Sequence, residues 1–80
     1  MAKSDLKLLF GLSVKSRRTR LGISQEGLAE RAGLHPTYVS DIECGKRNLS
    51  LESIGKLAHA LEIPVATLFS PSDVPRVAKN

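Results

Sequence analysis

The 80 residues contain a single cysteine. One thiol excludes an internal disulfide framework, so the chain is not a stapled, secreted mini-protein. No apolar run exceeds a few residues, whereas a membrane helix needs about 20. The start, Met1-Ala2-Lys3-Ser4-Asp5, lacks a signal-peptide apolar stretch, and Met-Ala is not a myristoylation start. The expected compartment is the cytoplasm. Strand signals are almost absent, with no hairpin dipeptide between alternating apolar runs. The length allows one small domain, and a chain of this size buries only roughly 60% of its unfolded surface. A cleft enzyme with separate cofactor and substrate domains does not fit.

What is present is positive charge, unevenly placed. The net charge is +4 and the isoelectric point near 9.6. Residues 1–23 carry six basic groups and one acid, whereas residues 24–45 carry one base and four acids. A protein that merely coats polyanions has no reason to place its acids in the middle. One that docks a short element between basic flanks does.

Helical spacing recurs along the chain. Leu6, Leu9, Phe10, Val14 and Leu21 form the apolar face of a first helix, with Ser4 placed to cap it and Gly22 to end it. Ser24 caps a second, Gln25 to Ala32, which carries Leu28, Ala29 and Ala32 inward and closes at Gly33. Pro36 suits the first turn of a third, where its missing N–H is no loss. Val39 and Ile42 face inward there, and Gly45 ends it. Ser50 caps a fourth helix with Ile54, Leu57, Ala58 and Leu61 on one face; Pro64 starts a short fifth around Val65, Leu68 and Phe69. The expected fold is all-α, a compact arrangement of five helices. The expected organisation is an N-terminal extension of the first helix (1–9), a domain over 10–69 and a flexible tail over 70–80.

Between Gln25 and Cys44 the spacing is more specific. Two helices crossing steeply need a small residue where their backbones approach, which Ala29 supplies. Their tight turn needs a residue tolerant of positive φ, which Gly33 supplies. The second helix needs apolar pins, here Val39 and Ile42. This is the helix-turn-helix pattern, whose second helix enters the DNA major groove by its N-terminal end.

The flanks extend the match. Val14-Lys15-Ser16-Arg17-Arg18, Leu21-Gly22-Ile23-Ser24-Gln25, Tyr38-Val39-Ser40-Asp41-Ile42-Glu43 and Gly45-Lys46 closely resemble the lambda-repressor-like helix-turn-helix family, from about Phe10 to Phe69. Thr37-Tyr38-Val39-Ser40 followed by Arg47-Asn48-Leu49-Ser50 looks most like the controller proteins of restriction–modification systems. The resemblance implies a five-helix domain with its helix-turn-helix at helices 2 and 3. It implies base readout by Pro36, Thr37, Ser40 and Asp41, and backbone contacts from Arg17, Ser24, Gln25, Tyr38, Lys46, Arg47 and Asn48. It also implies an Arg18–Glu43 pair joining the first helix to the third. Pro36 and Cys44 depart from the polar and basic residues frequent at those positions.

Several residues admit two readings. Asp41 either accepts from cytosine N4 or faces solvent or helps align Arg47. Arg17 either reaches a phosphate or lies on a solvated helix face. Val65, Leu68 and Phe69 close the core of one chain and also suit a self-complementary dimer interface. His35 fits a capping role better than proton transfer, and His35, Cys44 and His59 match no zinc module. No metal, cofactor or catalytic constellation is expected, and His35 and Cys44 fall at opposite ends of one short helix. The reading that results is a sequence-specific regulator of transcription. It binds double-stranded DNA as a homodimer on a roughly palindromic operator, with RNA polymerase as a further partner, and does not act as an enzyme. The alternative from another class is an antitoxin or other protein-interaction module, with the tail as its handle.

Overall fold

The computed structural model describes the backbone of residues 3–69 and the side chains of residues 6–69. The expected tail, 70–80, and the side chain of Ser4 lie outside the described residues. Five helices follow one another: α1 (Lys3–Leu21), α2 (Gln25–Ala32), α3 (Pro36–Glu43), α4 (Leu51–Ala60) and α5 (Val65–Leu68). No strand occurs among the described residues, and no helix among them is long and apolar enough to cross a membrane. Because α1 already begins at Lys3, Ser4 falls inside the helix rather than at its cap.

Local chemistry sets most of the remaining boundaries. Ser24 and Ser50 hold extended backbone ahead of α2 and α4, and each hydroxyl accepts an N–H from three residues on, Gly27 at 2.9 Å and Ser53 at 3.0 Å. Before α3 the same work falls to His35, whose Nδ1 accepts the Thr37 N–H at 3.1 Å. His35 thus takes the capping position expected of it. Gly33 turns the chain out of α2 at φ +70°, and the next N–H, from Leu34, reaches back to the Ala29 carbonyl at 2.9 Å. A side chain at that φ is strained, so glycine makes this six-residue closure accessible.

The core is aliphatic around one ring. Phe10, Val14, Leu28, Ala29, Val39, Ile42, Leu57, Ala58, Leu61 and Leu68 are buried, drawn from all five helices. The inward faces expected for α2, α3 and α4 are therefore present. The start of α1 differs: Leu6 is 48% exposed, with Leu8 and Leu12 similarly open. The first two turns of α1 lie at the margin of the domain, where Leu6, Phe10, Leu49, Ile54 and Phe69 line a shallow apolar groove of about 330 Å³. Phe69 packs its ring on Phe10 with centroids 5.0 Å apart.

One contact sets the height of α3 over α1. A β-carbon added at Gly11 would lie 2.3 Å from the Ile42 carbonyl oxygen and 2.8 Å from that of Glu43. The absence of a side chain there lets the C-terminal turn of α3 rest on the backbone of α1. Gly11 lies in a helix interior, where glycine costs about 1 kcal/mol relative to Ala. That cost is the readable sign of a close approach.

Candidate nucleic-acid interface

α3 divides cleanly into two faces. Val39, Ile42 and Glu43 point into the body and are buried. Pro36 and Thr37 are exposed, and Ser40 and Asp41 half-buried; with spacings of one, four and five residues they share the opposite face. Pro36 is the first helical residue, so its missing N–H removes nothing from the helix. The four expected base-facing residues therefore form one outward stripe.

A polar cluster fixes this stripe relative to the rest of the fold. Arg18 grips Glu43 with both arms, Nε to Oε2 at 2.7 Å and Nη2 to Oε1 at 3.1 Å. Its Nη1 donates to the Ile23 carbonyl at 2.9 Å. Gln25 Nε2 adds a bond to Glu43 Oε1 at 2.9 Å. The pair is well shielded, with side chains 14% and 3% exposed. The bonds to Glu43 hold the Arg18 guanidinium above its ordinary pKa, against the opposing pull of burial. α1, α2 and α3 thus meet at one carboxylate, and Arg18 ties in the α1–α2 connection.

Two residues expected on the DNA backbone, Gln25 and Arg17, have partners within the fold. The Gln25 amide, anticipated on the DNA backbone, is engaged with Glu43. Burial of that carboxylate creates a demand for donors that Arg18 alone does not fill. Arg17, anticipated to reach a phosphate, donates through Nε to the Leu61 carbonyl at 3.0 Å. Leu61 caps the C-terminus of α4, where carbonyls are left over from the helix, and a guanidinium is a natural partner for them. Arg17 is a strut between α1 and α4. Neither partnership follows from spacing, because the partners lie 18 and 44 residues away.

Beyond α3, Lys46, Arg47 and Asn48 are exposed. Arg47 lies over the Tyr38 ring, 5.1 Å from its centroid, and Nε donates to Asp41 Oδ2 at 3.2 Å. The Tyr38 hydroxyl donates to Ser53 Oγ at 3.3 Å, and Ser53 is bound in turn to Ser50, the cap of α4. A polar chain thus runs from α3 through Tyr38 to the start of α4. Sequence reading singled out Tyr38 but not its partner Ser53.

The dimer expectation also needs a correction. Leu68 is 1% exposed and belongs to the core of the single chain, whereas Val65 and Phe69 are 44% and 42% exposed. A four-residue helix carries too little periodicity to say which of its apolar residues points inward. Of the three, only Val65 and Phe69 keep an exposed apolar surface. Among the described residues, no group of three His, Cys, Asp or Glu is placed to hold a metal ion.

Comparison with known proteins agrees with this geometry. A helix-turn-helix family model matches residues 14–68. Control protein C.BamHI of Bacillus amyloliquefaciens is 46% identical over 61 residues, which is 75% of each chain. The crystal structure of the restriction–modification controller protein C.AhdI from Aeromonas hydrophila superimposes with a TM-score of 0.78 at 46% identity, covering 79% of this chain and 96% of that one. The controller C.Esp1396I, solved as a tetramer on its natural 35 base-pair operator, matches with a TM-score of 0.75 at 32% identity, over 81% of this chain and 86% of that one. With the outward stripe of α3, the buried pins beneath it and the match extending from α1 to α5, the chain belongs to the helix-turn-helix family, among the restriction–modification control proteins.

Proposed function

We propose that the chain is a sequence-specific regulator of transcription that binds double-stranded DNA as a homodimer on a roughly palindromic operator and controls restriction–modification genes. The observation that carries this reading is the outward stripe of Pro36, Thr37, Ser40 and Asp41 on a helix whose other face is locked into the core. A reading element must hold its side chains still while they meet base edges, and that division provides it. Ser24 and the N-terminus of α2 suit a phosphate, since free N–H groups and partial positive charge collect there. Tyr38, Lys46, Arg47 and Asn48 flank the stripe as further backbone contacts. The domain over 10–69 performs this work, with the first turns of α1, from Lys3, ahead of it.

No cofactor enters the mechanism, and no bond is made or broken. The protein acts by where it sits: at a promoter it governs the access of RNA polymerase, in the cytoplasm where the DNA is. Thr37 offers a hydroxyl to a base edge and a methyl to thymine. Thr37→Ala is expected to cost about 1–3 kcal/mol on the preferred site and little on random duplex. Titration of both duplexes checks this, and equal losses on the two remove Thr37 from base readout.

One α3 reads only a few base pairs, so a second copy about 34 Å away along the duplex is needed for useful affinity. Val65, at the start of α5, and Phe69, just past its end, are the large apolar residues left exposed for that contact. Val65→Glu is the cleaner probe, because Phe69 also packs on Phe10. The variant is expected to sediment as a monomer and to lose most of its operator affinity. An undiminished dimer places the interface elsewhere.

A further inference from the structure

We infer that Asp41 works as a selector against random DNA: its carboxylate occupies, on Arg47, the place that a phosphate takes in the complex. This rests on the DNA-binding reading above and concerns the same face of the protein.

The placement of the carboxylate is the first observation. The last turn of α3 holds two acids, Asp41 and Glu43, and no base, although the partial negative charge at a helix C-terminus disfavours acids there. Each is matched by an arginine from outside the helix, Glu43 by Arg18 and Asp41 by Arg47. The two pairs differ in kind. The first is bidentate and shielded. The second is a single contact of 3.2 Å between side chains 30% and 47% exposed, so it is weak enough for a competing anion to open.

The second observation is what opening does. Arg47 lies over Tyr38, beside the exposed Lys46 and Asn48, on the flank where the duplex backbone would run. Asp41 shares the outward stripe with Pro36, Thr37 and Ser40. When Arg47 turns to a phosphate, it leaves the Asp41 carboxylate facing base edges. Only an amino donor such as cytosine N4 satisfies a carboxylate in that position. On any other sequence the freed anion faces a polyanion and must take up a cation. The gain from Arg47 then survives on a site with a donor at that position and is cancelled elsewhere.

The test is Asp41→Asn, titrated against a duplex of random sequence and against the site recovered by selection from random DNA, across a range of salt. On random duplex the variant is expected to bind about 2–5-fold more tightly, the range that an exposed ion pair supplies. Its log–log salt slope should steepen by up to about 0.9, one net phosphate neutralised. The selected site should show no gain, so the ratio of selected to random affinity falls by at least the same factor. In an Arg47→Ala background both random-duplex effects should vanish. A gain that persists there identifies simple charge repulsion and overturns the pairing with Arg47. Unchanged random binding with a loss only on the selected site marks Asp41 as a base reader alone and overturns the selector role. A wild-type chain that binds neither duplex overturns the DNA-binding reading itself.

Discussion

Gly11→Ala should destabilise the fold, whereas Gly55→Ala should stabilise it, although both glycines occupy helix interiors. Alanine is preferred over glycine by about 1 kcal/mol in such positions. At Gly55 nothing lies within 4 Å of the added carbon, so a gain of roughly 0.5–1 kcal/mol is expected. At Gly11 the added carbon meets two carbonyl groups of α3 at 2.3 and 2.8 Å. These belong to the backbone of a packed helix and cannot rotate aside, so α3 must lift. Overpacking costs about 1–3 kcal/mol, and occasionally more, in cores where side chains can adjust. A backbone partner belongs at the upper end, leaving a net loss of about 2 kcal/mol or more. For a domain of this size that corresponds to a midpoint lower by roughly 10 °C. Thermal denaturation of the two variants side by side checks the sign, and a stabilised Gly11→Ala would refute the close approach.

The larger effect is expected at Glu43. Glu43→Ala removes both arms of the Arg18 contact and the acceptor for Gln25, leaving a cation in a largely shielded place. Breaking a buried pair from one side costs about 3–5 kcal/mol. Arg18 keeps its bond to the Ile23 carbonyl, which places the expected loss near 3 kcal/mol, at the lower end of that range. An 80-residue domain has only about 4–12 kcal/mol in hand. Glu43→Gln keeps an acceptor and should lose about half as much. Changing Arg18 and Glu43 together to methionine should recover most of the loss, since an apolar replacement of a buried pair is often close to neutral. Denaturation of the single and double variants measures the coupling, and strictly additive losses would dismiss the pair as a unit.

Much of this architecture could be read from short-range chemistry. Ser24, Ser50, Pro36 and Gly33 act on backbone atoms within a few residues, so spacing alone places α2, α3 and α4. The inward faces of those helices follow from periodicity. The Arg18–Glu43 pair came from resemblance, because nothing local ties residues 25 positions apart. What escaped was set by long-range geometry. Which way Leu6 and Leu68 face depends on where the domain ends and on a helix too short to carry a pattern. The engagements of Arg17 and Gln25 depend on carbonyls and carboxylates that other helices leave unpaired. Gly11 carried a signal, a glycine where helix propensity argues against one, but not the identity of what presses on it.

The two faces of α3 also prescribe how a new preference could be transplanted. On the proposed reading, residues 36, 37, 40 and 41 can be exchanged as letters, whereas 39, 42 and 43 are buried in the frame and must stay. Cut out as an isolated hairpin, α2 and α3 would carry Glu43 without Arg18 and lose the seat that Gly11 provides. The portable unit is therefore the lettering of one helix face, written on a frame that includes α1.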